Sequence, residues 1–306
     1  MDVTIPQLRM LMAVADNGTI AAAAAALGYT PSAVSQQMTG LSQVVGSPVL
    51  ERVGRNVRIT DVGRTLVERA GAILAELEAA QSAVEQLRSD VAGLVRIGYV
   101  ESMTASIIVP LVCALAERHP ELALQTFEQG PDVGPVEVHA GRLDVAVLID
   151  DGTTPIVESD SLRIEPVLIE HMRLVVPADS AIAGPRVDLA ELADVGFVSS
   201  SSTLLCGRLA AEACRRAGFE PRVDHHVDLY PTTLQLVAAG VGVALVPDLA
   251  IGTTCPPGIR VIEPVEAVTR RVSMVWRTSS RDRPAVAAVL DEMRRLFASR
   301  SQPVSC

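Results

Sequence analysis

The chain has 306 residues, of which 49% are hydrophobic and only 3% are aromatic. This length exceeds one typical domain, and the apolar content excludes wholesale disorder. The five cysteines form no CxxC pair, which argues against a zinc site or a disulfide framework, and we expect neither metal nor cofactor. Because no basic leader with an apolar core and no stretch of about 20 apolar residues occurs, we expect a soluble cytoplasmic protein that does not engage membranes.

Charge is distributed unevenly along the chain. The net charge is -10, but residues 1–60 hold four Arg against three acidic residues, a net of +1, so the remainder carries -11. Nonspecific coating of nucleic acid relies on a basic surface, which this protein lacks as a whole. A near-neutral head with clustered arginines on an acidic body fits a small, specific DNA-binding module.

Three short helices are predicted within the first 60 residues. A hydroxyl residue able to cap a helix precedes each one, and a glycine able to end it follows. The pairs are Thr4 with Gly18, Thr19 with Gly28, and Thr30 with Gly46. The second helix, 20–27, is almost entirely alanine, which lets the third helix approach closely. Two helices around a tight glycine turn are typical of a helix-turn-helix, which places its second helix in the major groove.

The polar face of the third helix and the hairpin after it form the predicted DNA-binding surface. Short strands at 49–52 and 57–60 flank a turn at 54–56, which gives a hairpin carrying three arginines. Hydroxyls and glutamines can bind phosphates or base edges, and arginines can reach the backbone or minor groove. The predicted contacts are Thr30, Pro31, Ser32, Ser35, Gln36, Gln37, Arg52, Arg55 and Arg58. For the third helix taken alone, a merely solvated polar face is the alternative.

A long amphipathic helix is predicted from Asp61. From Leu66 onward, apolar residues recur in alternating steps of four and three, with Arg and Glu between them. Such a seam predicts a helix that pairs with a second copy of the chain. The predicted dimer contacts are Leu66, Ile73, Leu77, Val84 and Leu87.

From Leu94 onward, short apolar strands alternate with amphipathic helices. Strands are predicted at 94–99, 122–128, 144–148, 172–176, 196–199, 222–227, 243–246 and 271–276, and helices at 105–118, 135–140, 203–217, 232–239 and 284–298. This alternation predicts an α/β architecture with mainly parallel sheets. Ligands in such folds bind at the carboxyl ends of strands, near the amino ends of helices.

An ordered set of short motifs runs through nearly the whole chain. It comprises the stretch 20–41, Leu-Glu-Arg at 50–52, Arg-Ile-Gly at 96–98, Gly-Arg-Leu-Asp-Val-Ala at 141–146, Ala-Gly-Phe-Glu-Pro at 217–221, and Leu-Val-Ala-Ala-Gly-Val-Gly-Val-Ala-Leu-Val-Pro at 236–247. Any one motif is weak evidence, but the set, with this order and spacing, resembles the LysR-type transcriptional regulators.

The resemblance implies three parts. They are a winged helix-turn-helix DNA-binding domain over residues 1–60, a linker helix for dimerisation over 61–92, and an effector-binding domain over 93–300 similar to the type 2 periplasmic binding proteins. The last would consist of subdomain I, at about 94–166 and 269–300, and subdomain II, at about 167–268, joined by crossover strands around a cleft. Such regulators usually bind bent promoter DNA as dimers of dimers, so we expect a homodimer that forms a homotetramer.

Two hydroxyl-rich segments are predicted to face each other across this cleft. Glu-Ser-Met-Thr at 101–104 and the serine run at 199–203 each follow a strand and precede a helix. Hydroxyls and free N–H groups there suit a carboxylate, although ordinary N-capping is the alternative for either segment alone. The negative charge of Glu101 would repel an anion, so carboxylate-bearing, zwitterionic and cationic effectors all remain alternatives. The predicted effector-binding residues are Ser102, Met103, Thr104, Ser200, Ser201, Ser202, Thr203 and Pro247.

Two residue pairs suggest other chemistry. His225 and His226 are adjacent on a strand, so they point to opposite faces and cannot easily share a metal ion. Cys206 and Cys214 invite comparison with peroxide-sensing members of the LysR family, which use a cysteine pair in this subdomain. Eight residues on one helix correspond to about 12 Å, too far for a disulfide without unwinding. Redox sensing is therefore the less favoured alternative.

An enzyme and a solute-binding transport component are the competing functions. The sequence contains no GxSxG elbow, no GxGxxG after a strand and no HExxH motif. A solute-binding domain of similar fold without DNA binding would leave residues 1–92 unexplained. The favoured function is a transcriptional regulator, not an enzyme, that binds double-stranded promoter DNA under the control of a small-molecule effector.

Overall fold

The computed structural model describes residues 2–53, 56–86, 91–130, 133–153, 161–182, 184–252 and 256–300. Its amino-terminal part contains helices α1 (Ile5–Asn17), α2 (Ile20–Leu27) and α3 (Pro31–Val45), followed by strands β1 (Leu50–Val53) and β2 (Asn56–Ile59), which pair as an antiparallel hairpin. The three predicted helices and the hairpin are confirmed.

Local capping explains why these helices begin and end where they do. The hydroxyls of Thr4, Thr19 and Thr30 each accept a hydrogen bond from the backbone N–H three residues later. Each helix ends at a glycine with φ near +70°, a conformation that side chains with a Cβ atom disfavour. Ala23 and Ala24 of α2 are fully buried beside Val34 and Leu41 of α3, so small side chains allow the close helix packing.

Helix α4 (Asp61–Gln86) continues from the hairpin. Its first turns belong to the amino-terminal part, because Ala70 is fully buried against Leu8 and Met12 of α1. The predicted linker helix is thus confirmed over its described residues, and its amino-terminal end is anchored within its own chain.

The remaining chain forms an α/β unit. Its elements are β3 (Gly93–Tyr99), α5 (Val109–Arg118), β4 (Leu122–Glu128), α6 (Gly134–His139), β5 (Val145–Asp150), β6 (Leu162–Pro177), β7 (Arg186–Val187), β8 (Gly196–Ser199), α7 (Leu205–Arg216), β9 (Arg222–His226), α8 (Tyr230–Ala238), β10 (Ala244–Pro247), α9 (Asp248–Ile251), β11 (Ile259–Pro264), β12 (Val268–Arg277) and α10 (Pro284–Ser299).

Two long strands, β6 and β12, connect two subdomains. In subdomain I the strand order is β4-β3-β5-β12-β6, and in subdomain II the second half of β6 pairs with β10 and β11, with β7 beyond β11. Strands β8 and β9 pair in parallel, and a bridge from Phe197 to Val243 connects β8 to the start of β10.

The expectation of mainly parallel sheets is wrong. Strand β3 runs parallel to β4 and β5, but β12 is antiparallel to β5 and β6, and β6 is antiparallel to β10 and β11. The reason is that β6 and β12 carry the chain from one subdomain to the other and back, so they run in opposite directions side by side.

The helix expected from 105 begins only at Val109. Residues 101–103 form a 3-10 turn and residues 104–108 a π turn. Pro110 has no N–H to bond the carbonyl of Ser106, and that oxygen instead accepts a hydrogen bond of 3.0 Å from Nη2 of Arg300. Across the described ranges, no helix combines the length and apolar character needed to cross a bilayer.

Candidate DNA-binding surface and effector cleft

The outer face of α3 presents the predicted reading residues to solvent. Ser32, Ser35, Gln36 and Gln37 are exposed, whereas Val34, Met38 and Leu41 are buried. The hydroxyl of Thr30 is already engaged as the helix cap, 3.2 Å from the N–H of Ala33, and Pro31 forms the exposed first turn. Because the apolar residues of α3 face the core and its polar residues face solvent, the serine hydroxyls and glutamine amides are available to a binding partner.

The hairpin offers less free charge than the sequence suggests. Arg52 is exposed, but Nε of Arg58 donates to Oε1 of Glu51 at 2.7 Å, which partly neutralises it. Arg55 lies outside the described residues. The sequence reasoning did not single out Tyr29, which is 52% exposed directly before the cap of α3. The sequence signal that could have identified Tyr29 is a large aromatic residue in the turn of a helix-turn-helix.

The predicted seam of α4 divides into two faces. Leu66 packs against the amino-terminal core with Val67, so it serves the chain's own fold. Ile73 and Val84 are 47% and 59% exposed, and Leu77 is partly buried. Leu87 lies outside the described residues. Within the predicted seam, the exposed apolar side chains therefore lie beyond Ala70, the residue of α4 that is fully buried against α1.

A buried ion pair occupies the floor between the two subdomains. Glu170 of β6 and Arg270 of β12 are directly opposite in the strand register, and their side chains are each 1% exposed. Nε of Arg270 donates to Oε2 of Glu170 at 2.6 Å, and Oε1 of Glu170 accepts from the N–H of Leu249 at 2.6 Å. Burial alone would lower the pKa of Arg270, but the carboxylate of Glu170 outweighs it and raises that pKa above its usual range.

The guanidinium of Arg270 also joins the two subdomains. Nη2 donates to the hydroxyl of Ser102 in subdomain I at 2.8 Å, and Nη1 lies 3.3 Å from Sγ of Cys206 at the start of α7 in subdomain II. Burial raises the pKa of Tyr230, whose hydroxyl also bonds Cys206. Residues from both crossover strands and both subdomains therefore meet at one cation. The sequence reasoning found Ser102 but missed Glu170 and Arg270, which lie 100 residues apart.

Glu101 reaches across the cleft to the other subdomain. Its Oε2 accepts a long hydrogen bond of 3.4 Å from the N–H of Tyr230, the first residue of α8. Partial burial raises the pKa of Glu101; the Tyr230 N–H and Arg270 lower it, and Glu128 raises it. No arginine or histidine forms an ion pair with Glu101 among the described residues.

The serine run, called the serine lip below, lies directly before α7 in subdomain II. Ser202 and Thr203 are exposed, and Ser200 and Ser201 are partly buried. The hydroxyls of Ser201 and Thr203 lie 2.8 Å apart, and the helix itself receives no side-chain cap. The prediction that these residues face the cleft opening stays a prediction, now with their accessibility established.

Three further predicted contacts are placed differently. Met103 is fully buried in the hydrophobic core of the α/β unit, so it supports the floor and is not available to an effector. Pro247 is likewise buried at the end of β10. Thr104 uses its hydroxyl to donate to the carbonyl of Glu101 at 2.8 Å. In the described ranges, no group of three or more His, Cys, Asp or Glu side chains is arranged to hold a metal ion.

A helix-turn-helix part joined by a long helix to a two-subdomain α/β unit is the architecture of a transcriptional regulator with an effector-binding domain. Residues 5–64 match the bacterial regulatory helix-turn-helix protein, lysR family, and residues 88–298 match the LysR substrate binding domain. The chain belongs to the LysR family of transcriptional regulators.

Individual proteins agree with this assignment. The HTH-type transcriptional regulator ShiR of Corynebacterium glutamicum is 30% identical over 296 residues, covering 95% of this chain and 98% of ShiR. A probable hydrogen peroxide-inducible genes activator of Streptomyces viridosporus is 29% identical, covering 98% and 96%. A full-length OxyR structure from Pseudomonas aeruginosa shares the fold, with a TM-score of 0.69, 20% identity, and coverage of 96% and 95%. These relatives are transcriptional regulators, not enzymes.

Proposed function

We propose that this LysR-type regulator binds promoter DNA in the cytoplasm through α3 and the hairpin, and that a small molecule in the cleft between its subdomains controls the response. The observation that carries the proposal is the Arg270 cluster. One buried guanidinium contacts Ser102 from one subdomain and Cys206 from the other. A ligand that alters either contact changes how the subdomains pack, because both depend on the same cation.

The charges of the cleft favour a zwitterionic effector over a simple carboxylate. Glu170 already neutralises Arg270, so this guanidinium offers no unpaired charge to an anionic ligand. Glu101 adds a partly buried carboxylate without an ion-pair partner among the described residues, which suits an ammonium group. The serine lip at 200–203 and the uncapped end of α7 supply donors for a carboxylate. A small amino acid or a related zwitterion satisfies both sides.

On DNA, Ser35 and Gln36 read bases. Ser32, Arg52 and the first turn of α3 contact phosphates. These groups are exposed and are free of internal ion pairs among the described residues. Pairing of two copies through Ile73, Leu77 and Val84 would present two copies of α3 to one duplex, and dimers would pair into tetramers. A dimer of this kind reads two related half-sites.

The decisive experiment combines DNA selection with a metabolite screen. Wild-type protein should enrich specific duplexes from a random library, and Gln36→Ala should weaken binding to them by about 1–3 kcal/mol with the fold intact. Amino acids should raise the thermal midpoint of the wild-type protein and change its affinity for the selected duplex. Ser102→Ala and Thr203→Ala should lose this response while still binding DNA. Failure to enrich any sequence would refute DNA recognition, and a normal response in both variants would remove those residues from the site.

A thiol-based response is a second candidate function. The observation that favours it is Cys206, a partly exposed thiol that contacts Nη1 of Arg270, so oxidation would disturb the contact between the subdomains. A relative named as a hydrogen peroxide-inducible genes activator fits this candidate. Treatment with dilute peroxide followed by a sulfenic-acid probe should label Cys206 and change DNA affinity, and Cys206→Ser should respond to neither. Unchanged affinity after complete labelling of Cys206 would eliminate the candidate.

A further inference from the structure

A cavity lies beside the edge of β6 at the junction of the two subdomains. It has a volume of about 440 Å³, and five consecutive residues of β6, 167–171, line it. Successive strand residues point to opposite faces, so a cavity that touches all five lies along the edge of the strand. Here β6 pairs with β12, and its pairing with β10 begins only at Met172, opposite Pro247. Because the chain then leaves the sheet to form α9, the place of a neighbouring strand is left open.

A chain of hydrogen bonds connects this cavity to the cleft floor. Arg300, at the end of α10 in subdomain I, donates through Nη2 to the carbonyl of Ser106 at 3.0 Å. The hydroxyl of Ser106 donates to the carbonyl of Leu249 at 2.6 Å, and the N–H of Leu249 donates to Glu170, which binds Arg270. In the described part of the chain, none of the predicted effector-binding residues lines the cavity. The cavity is therefore a neighbour of the effector cleft and distinct from it.

The acidic groups around the cavity already contact cations. Asp248 accepts a hydrogen bond of 2.9 Å from Nε of Arg173, and Oε1 of Glu263 lies 3.3 Å from Nη1 of the same guanidinium. Glu170 is bound by Arg270. None of these carboxylates therefore needs a cationic ligand.

Arg300 is the cation without an acidic partner. It forms no ion pair with any described residue, and its Nε is buried without a hydrogen-bond acceptor. A buried donor without an acceptor is unfavourable, and an anion beside the guanidinium would supply both an acceptor and the opposite charge. With Arg300 included, three guanidinium groups face three carboxylates, so the surroundings carry no net negative charge. The half-buried ring of His171 lines the same cavity and can donate a further hydrogen bond.

Apolar side chains form another part of the lining. They include Val167, Leu168 and Leu249, together with Ile169, which is 58% exposed. A ligand with an apolar body would remove this surface from water, which is favourable. The volume falls within the range of about 300–1,000 Å³ that is typical of small-molecule sites.

We propose that this cavity is a second ligand site, distinct from the effector cleft, for a small carboxylic acid with an aliphatic body. The carboxylate binds Arg300 and His171, and the aliphatic body covers Ile169 and Val167. The inference goes beyond the proposed function, because it requires binding without DNA and without a ligand in the cleft.

Calorimetry of the full chain with hexanoate as the probe tests the site. We expect hexanoate to bind without DNA and to protect the peptide covering 167–171 from hydrogen exchange. Acetate, which lacks the aliphatic body, and hexylamine, which has the opposite charge, should each bind at least about tenfold more weakly. Arg300→Gln should weaken hexanoate binding at least about tenfold, because a charged hydrogen bond is lost. Arg281→Gln is the matched control, since Arg281 is exposed and does not line the cavity, and it should bind hexanoate like the wild-type protein.

The variant Ile169→Gln covers the case in which loss of the bond from Arg300 to Ser106 disturbs the fold. Because Ile169 is exposed, this variant should keep the thermal midpoint and still weaken hexanoate binding. Ser102→Ala and Thr203→Ala, in the cleft, should bind hexanoate normally. Three results would overturn the second site: no detectable hexanoate binding, equal affinity for hexanoate and hexylamine, or binding that Ser102→Ala weakens and Arg300→Gln does not. Failure to enrich any duplex would instead overturn the proposed function and would leave this test unaffected.

Discussion

Removing the positive charge from the cleft floor should destabilise the effector-binding domain far more than removing a surface arginine. In Arg270→Met, the methionine retains most of the apolar volume, but Glu170 stays 1% exposed without its partner. Breaking a buried ion pair by deleting one member costs about 3–5 kcal/mol, because the remaining charge is uncompensated. Ser102 and Cys206 lose a shared donor as well, so we expect the upper part of that range.

Thermal unfolding measures the effect. For a domain of roughly 200 residues, 1 kcal/mol corresponds to about 2–4 °C, so a loss of about 4–5 kcal/mol in Arg270→Met should lower the midpoint by roughly 8–20 °C. Arg222→Met is the matched control, because the side chains of Arg222 and its partner Asp224 are 64% and 41% exposed. Exposed ion pairs contribute only about 0–1 kcal/mol to stability. The double variant Glu170→Gln with Arg270→Met should be more stable than Arg270→Met alone, since no buried charge is left over.

Two outcomes of these measurements would refute the expected cost of the uncompensated carboxylate. If Arg270→Met lowered the midpoint no more than Arg222→Met, the pair would not be desolvated as the structure indicates. If the double variant were less stable than Arg270→Met, the cost would come from lost packing and not from the uncompensated carboxylate.

Three further predictions concern the linker helix, the serine lip and the cysteines. Leu77→Glu should convert the proposed dimer to monomer in sedimentation experiments, because it places a charge on the apolar seam, whereas the neighbouring Glu76→Gln should not. A Leu77→Glu variant that is still dimeric would exclude the seam as the interface. Gly207→Ala should destabilise the protein by about 1–3 kcal/mol in urea unfolding and displace the serine lip, since a Cβ atom there would overlap the carbonyl oxygens of Ser200 and Ser201; unchanged stability would show that the lip yields freely. Burial raises the pKa of Cys214 to about 11, so at pH 8 it carries almost no thiolate and should resist iodoacetamide while Cys206 is alkylated, as peptide mass spectrometry would show; equal labelling would contradict the burial of Cys214.

Signals close together in the sequence predicted the amino-terminal helices well. Helix α3 begins after Thr30 and ends at Gly46, because each of these residues forms a hydrogen bond with a backbone group of the helix within four residues of itself. The alternation after Leu94 predicted most strands and helices in their order, although not β7, α9 or β11, and the family assignment confirmed the kind of protein. The first half of β6 was not predicted as a strand, because Pro166 interrupts the apolar residues of 162–169, and a proline argues against a central strand.

The sequence by itself determined the helix-turn-helix, the linker helix and the α/β order, since caps, periodicity and turn residues act over a few positions of the chain. Only the tertiary structure decided what forms the cleft floor. Glu170 and Arg270 read as unremarkable charged residues until antiparallel pairing of the crossover strands brings them face to face. Contacts of this kind arise from packing between distant segments, and no local pattern records them.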